Sequence, residues 1–297
     1  MRRLSIYIFL SILLASCTED RFIEAEQQII VEGWIDAGNY PVVILSKSIP
    51  ASDEEISLDE LGDYVIKWAK VTVSDGEKSV ILTGKRSPKH FPPYIYTTTD
   101  MRGAEGRSYR LTVEYDDFYA TAETSIPKRA EVEKITATRE NGKYSLQALI
   151  DDNPAENNYY KFFMKVVGRD SMYLSSNLAV IDDKNYTFPS IIPIDLGHSH
   201  IYDYNRDYVL SEKDTVLIKF AQIDSVAYAF WDRYKEIIEL GRNPIFRFSN
   251  SLPSNINGGL GYWFGYGSTE YLCEPYKHES PINLTEKKLE KNQLINP

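Results

Sequence analysis

The chain has 297 residues, 33 Lys and Arg against 43 Asp and Glu, a formal net charge of −10, and 43% hydrophobic side chains. That acidic balance makes the chain a poor candidate for binding nucleic acid or an anionic headgroup surface. The apolar content is enough to bury two domains of ordinary size.

The first elements in the chain form a leader. Arg2 and Arg3 precede an apolar run over residues 4–14, the length of a secretory signal and too short to span a bilayer. The run ends in Leu14-Ala15-Ser16-Cys17, a small-residue pair directly before a cysteine, as in a lipoprotein processing site. We therefore expect a signal peptide over residues 1–16, lipidation at Cys17 and a tether over 17–27. Acyl chains bury CH₂ groups at ~0.8 kcal/mol each, so two or three of them hold a protein to a membrane without a transmembrane helix. With Cys17 consumed as a thioether, Cys273 stands alone and the fold forms no internal disulfide.

Strand signals follow. Residues 28–35 and 40–48 alternate around the turn chemistry of Asp36-Ala37-Gly38-Asn39, and an acidic stretch over 53–63 reads as a solvated loop. Residues 70–82 alternate with period two on both sides of Asp75-Gly76, the composition of a tight hairpin. A further pair, 108–115 and 118–124, turns over Asp116-Asp117. Short strands at this spacing predict a β-sandwich over 28–128 that closes at Ile126-Pro127. Strands resume at 135–138, 144–151 and 159–167, the region 170–207 reads as irregular, and 215–223 is another strand.

One segment changes period. Asp224 and Ser225 are N-cap residue types, and Ala227, Phe230, Trp231, Tyr234, Ile237 and Ile238 recur at helical steps up to Gly241. The expected fold is mainly β: two β-sandwich domains, immunoglobulin-like or related, the second over 131–280 with one amphipathic helix at 224–240 packed on it. A charged tail over 281–297 completes the chain.

As a set, several segments resemble the Bacteroidota lipoprotein family described as domain of unknown function 4249. They are the Leu14-Ala15-Ser16-Cys17 site, Val31-Glu32-Gly33-Trp34-Ile35, Val71-Thr72-Val73-Ser74-Asp75-Gly76 and Tyr109-Arg110-Leu111-Thr112-Val113. The Ile223-Asp224 helix with Trp231 belongs with them, as does Pro253-Ser254-Asn255-Ile256 ahead of Gly258-Gly259-Leu260-Gly261-Tyr262. The resemblance implies an outer-membrane or periplasm-facing lipoprotein, its members often linked to TonB-dependent transporters, and it brings no catalytic residue to carry over. Glu19 and Asp20, just after Cys17, resemble the surface-export signal of such lipoproteins or form a plain solvated tether.

Candidate chemistry is sparse. His198 and His200, with Asp195 nearby, have the composition of metal ligands, though the spacing is not that of a strong zinc motif and a polar loop of this kind is usually just solvated. The carboxylate pairs Asp116-Asp117, Asp151-Asp152 and Asp182-Asp183 are explained by turns, since adjacent strand residues point to opposite faces. No Gly-x-Ser-x-Gly elbow and no phosphate-binding glycine loop in a strand-to-helix setting is present. Tyr262, Trp263 and Tyr266 are candidate ligand or partner contacts, because an aromatic cluster on one strand cannot all face the same side.

These readings lead to a non-catalytic, lipid-anchored protein of the cell outer membrane that docks to a TonB-dependent transporter or captures its substrate, a glycan or a peptide, without a cofactor. The rivals are a surface hydrolase or metal-binding protein using residues 170–207, and an adhesin-like structural subunit.

Overall fold

The structure, a computed structural model, describes residues 27–49, 60–153, 155–197, 209–239, 252–277 and 282–285. Cys17, the leader, His198 and His200 lie outside the described residues. Among those described, no helix is long and apolar enough to cross a membrane.

The N-terminal strands are β1 (Ile29–Asp36), β2 (Val42–Lys47), β3 (Lys70–Ser74), β4 (Ser79–Arg86), β5 (Tyr94–Thr97), β6 (Ser108–Tyr115) and β7 (Phe118–Ser125). The Asp75-Gly76 hairpin forms as its composition requires. Gly76 takes a left-handed φ of 88°, and the Asp75 carboxylate accepts the backbone N–H groups of Glu77 and Lys78 at 3.1 and 2.8 Å. Alternate residues of these strands, among them Val31, Val43, Val71, Leu82, Tyr96, Leu111 and Ala122, fill one core. In the acidic stretch read as solvated, Leu61 is buried within a 3-10 turn at Glu60–Tyr64.

The C-terminal part adds β8 (Lys134–Glu140), β9 (Lys143–Ile150), β10 (Tyr159–Val166), β11 (Leu174–Asp182), β12 (Ser190–Ile194), β13 (Val216–Ile223), helix α1 (Ser225–Glu239), β14 (Leu260–Cys273) and the short β15 (Ile282–Asn283). The chain is mainly β, with one α-helix among the described residues and two sheets in a sandwich-like arrangement. A three-stranded sheet, β12-β9-β8, covers one face of β11-β10-β13-β14. Tyr144, Leu146, Phe162, Ile192, Ile218 and Phe220 meet between the two layers in a second core.

Two strands, β11 and β12, occupy the region that the sequence reading left irregular. β11 pairs with β10 and β12 with β9, and Pro193 is tolerated because β12 is an edge strand. Strand pairing also continues past Pro281, where Ile282 and Asn283 pair with Leu272 and Tyr271.

The long strand β14 joins the two parts. Its first half runs parallel to β1, from Ile30 opposite Leu260 to Asp36 opposite Tyr266. Its second half runs antiparallel to β13, from Gln222 opposite Gly267 to Val216 opposite Cys273. The sheet curls so that β7 crosses the first half of β14, where the Gly265 N–H donates to Thr124 Oγ1 at 2.8 Å. A side chain at Gly265 would meet the Ser125 carbonyl oxygen at 2.3 Å, which is why this crossing requires glycine.

Helix α1 starts as expected: the Asp224 side chain accepts the Ala227 N–H at 2.8 Å. Ala227, Phe230, Trp231 and Ile237 form its buried stripe, packed against Phe163, Ala221, Ile223, Phe264 and Tyr266 on the sheet face opposite the second core.

Candidate functional site

Period-two alternation in four adjacent strands builds one continuous face. On β1, Glu32, Trp34 and Asp36 point away from the core filled by Val31 and Ile35. On β14, Tyr262, Phe264, Tyr266, Ser268 and Glu270 share that side, and the matching residues are Leu217, Lys219 and Ala221 on β13 and Lys161, Phe163 and Lys165 on β10. Helix α1 covers part of the face, and the uncovered remainder is the floor of a cleft of about 470 Å³. Trp34, Val42, Lys89 and His90 form one wall; Lys165, Met172, Tyr173 and Ser175 form the other. A volume of this order suits a small-molecule or oligomer site.

Its floor carries fixed charge. Lys219 Nζ donates to Asp36 Oδ1 at 3.1 Å, and Ser268 Oγ donates to the same oxygen at 3.0 Å. The ammonium also lies 4.6 Å from the Phe163 ring centroid and 4.9 Å from that of Tyr266. Cation–π attraction thus adds to the ion pair in holding the amine against apolar rings. Beside it, the Tyr173 hydroxyl donates to Glu270 Oε1 at 3.1 Å, and the Trp231 indole N–H donates to the Tyr266 hydroxyl at 3.2 Å. Burial raises the Tyr173 and Tyr266 phenols above their ordinary value, so both stay neutral at physiological pH.

Removing one member of the buried pair leaves the other without its counter-charge. Asp36→Leu is expected to cost about 2 kcal/mol, less than a fully enclosed pair would lose because water reaches the cleft. Asp36→Leu combined with Lys219→Met is expected to recover most of that loss. A double-mutant cycle read by urea denaturation checks it, and additive losses from the two substitutions would refute the coupling.

Two further ionisable groups lie on the same face. Lys161 is fully buried under α1; its amine donates to the Ser176 carbonyl oxygen, and burial lowers it to about 7. Glu32, partly covered between β2 and the aromatic stripe, has its carboxyl raised by burial to about 7.

Nucleophilic chemistry finds little support in this geometry. Ser87 Oγ and His90 Nδ1 lie 2.8 Å apart at the cleft wall. Burial lowers the imidazole below its ordinary value, as do the charges of Lys89 and Lys85. Serine activation requires the opposite, a carboxylate that orients the ring and stabilises the imidazolium.

A family model described as "Domain of unknown function (DUF4249)" matches residues 18–271. The chain belongs to that family. No curated protein matches it. The DUF4249 match spans β1 through most of β14, so the cleft residues, Leu284 excepted, fall inside the family domain.

In this DUF4249 chain the aromatic trio expected from sequence divides between two faces. Tyr262 and Tyr266 line the cleft. Trp263 points the other way into the first core, fully buried, with its indole N–H donating to the Tyr109 carbonyl oxygen at 3.0 Å. Asp195 accepts the Ser176 hydroxyl, behind the wall that carries Ser175. Its proposed companions His198 and His200 lie outside the described residues, among which no group of three His, Cys, Asp or Glu is gathered for a metal.

The sequence reading missed Trp34, Asp36, Lys219 and Glu270. A usable signal was present in 216–223, where Lys219 interrupts a strand apolar on both faces. A lone lysine there marks a buried, partnered cation and not a solvated one.

Proposed function

We propose that this protein is a non-catalytic, lipid-anchored capture module of the cell outer membrane that delivers a ligand to a TonB-dependent transporter. The carrying observation is the cleft at the junction of the two parts of the fold. Its aromatic walls and hydrogen-bonded charges are already fixed before a ligand arrives, which lowers the ordering cost of binding. The Leu14-Ala15-Ser16-Cys17 leader supports the anchor, and the tether over residues 17–27 supports a body held close to the membrane. Against catalysis stand the lysines beside His90 and the hydrogen bonds that hold Asp36 and Glu270.

The test uses the tagged full-length protein purified from detergent-solubilised native membranes. Mass spectrometry is expected to find a diacylglyceryl thioether on Cys17 and a stoichiometric β-barrel transporter in the same fraction. An unmodified Cys17, or recovery of the protein with no barrel partner, contradicts the proposal.

A further inference from the structure

Resting on the reading of the cleft as a capture site, we infer that its ligand is an oligosaccharide carrying carboxylate groups. The cleft departs from the charge of the chain around it. In a protein of net charge −10, Lys89 and Lys165 stand on opposite walls and Lys219 lies on the floor. Lys85 adds to the same side, close enough that its charge acts on His90. Asp36 is paired with Lys219 and Glu270 accepts from Tyr173, while Lys89 and Lys165, the latter donating to the Ser171 carbonyl oxygen at 3.1 Å, add positive charge to the lining. An anion is thereby drawn to a surface that otherwise repels it.

Charge alone does not account for the walls. Trp34, Tyr173 and Tyr262 are each partly exposed in the cleft, and rings that present a flat apolar face at low entropy cost suit the C–H face of a sugar ring. Between these rings the floor is polar, lined by Asp36, Lys219 and Glu270, whose carboxylate oxygens can each accept more than one hydrogen bond. One more group is left over. Ser175 Oγ, on the cleft wall opposite Phe163 in the β10–β11 ladder, is buried with no hydrogen-bond partner. A buried hydroxyl without a partner is costly, and a ligand hydroxyl entering the cleft would satisfy it. Stacking faces, hydroxyl partners and wall cations together describe an acidic sugar chain better than an acidic peptide, which lacks ring hydroxyls.

Calorimetric titration of the full mature protein with tetragalacturonate, its fully methyl-esterified counterpart and tetraglutamate tests this. Tetragalacturonate is expected to bind about tenfold more tightly than the ester at low salt, equivalent to ~1.4 kcal/mol, with the gap closing as salt rises. Lys89→Gln with Lys165→Gln should bring acid and ester within about twofold of one another, as loss of exposed ion pairs predicts. Trp34→Ala should weaken both sugars. Equal binding of acid and ester, tetraglutamate binding as tightly as tetragalacturonate, or no sugar binding at all overturns the ligand class. If a transporter still co-purifies in any of those cases, the capture-module reading stands without it. Loss of both the barrel partner and every titration signal removes the two together.

Discussion

Trp263→Ala is expected to destabilise the protein by about 3–5 kcal/mol, the range for removing a large buried aromatic. Trp263 is fully buried in the first core. Its six-membered ring occupies the space left by Gly33, where an added Cβ would lie 2.7 Å from Trp263 Cε3. Truncation also leaves the Tyr109 carbonyl oxygen without its indole donor. The backbone at this position is clamped on both sides: Trp263 N–H donates to Asn255 Oδ1 at 2.9 Å, and Asn255 Nδ2 donates to the Trp263 carbonyl oxygen at 2.8 Å. Because Trp263 lies in the half of β14 that pairs with β1, the loss falls on the strand that both parts of the fold share. Trp263→Phe keeps the stacking volume near Gly33 but not the donor, and should cost about 1–2 kcal/mol less. Urea midpoints with an unchanged m-value check both figures. A loss below about 1 kcal/mol for the alanine variant would mean that this core closes around the gap.

Local chemistry made much of the fold readable. The Asp75-Gly76 turn, the Asp224 cap and the aromatic helical stripe each rest on residues within a few positions of one another, and each formed as expected. The parallel pairing of β1 with β14 was not readable. It joins residues more than two hundred positions apart, and neither strand carries a local mark of its partner. β11 and β12 escaped for a related reason. β11 lies at a sheet edge and pairs with β10 through a bulged ladder whose register shifts between Lys161 and Phe163, and β12 is a short edge strand interrupted by Pro193.

The site was less legible than the fold. Asp36 was read as a turn residue, and it does end β1 ahead of the Gly38 turn, but its carboxylate points back to Lys219 on β13. Lys161 and Lys219 are solvent-facing residues by simple alternation. They are buried because α1 and the β10–β11 connection cover the second face of the sheet, a tertiary fact that strand periodicity cannot contain. Strand alternation requires the run Tyr262, Trp263 and Tyr266 to divide between two faces, and it does, with Gly33 making the room that Trp263 fills on the core side.

The stability of the folded protein is expected to dip near neutral pH, and two substitutions should flatten opposite sides of the dip. Glu32 has its carboxyl raised by burial from 4.5 to about 7. Between those values the folded state binds more protons than the unfolded state, so stability is lost as pH climbs through the interval. The Tyr262 and Tyr234 phenols beside it stay neutral throughout this range, because burial and the Glu32 charge raise them further. Lys161 is the reverse case. Burial among the Phe163 and Trp231 rings lowers its amine from 10.5 to about 7, with Asp195 opposing the shift and Lys235 adding to it. Here the unfolded state binds more protons between about 7 and 10.5, so stability rises with pH across that window. Glu32→Gln should therefore gain on the order of 2 kcal/mol over the parent above pH 7 and little at pH 4, the partial exposure of Glu32 reducing the full linkage value. Lys161→Met should gain on the order of 2–3 kcal/mol below pH 7 and lose the advantage by pH 10, after allowing for the Ser176 carbonyl left without its donor. Urea midpoints at pH 5, 7 and 9 and constant ionic strength separate the two effects, since one variant gains where the other does not. If the parent's midpoint is level across this range and both variants follow it in parallel, neither group titrates as its burial requires.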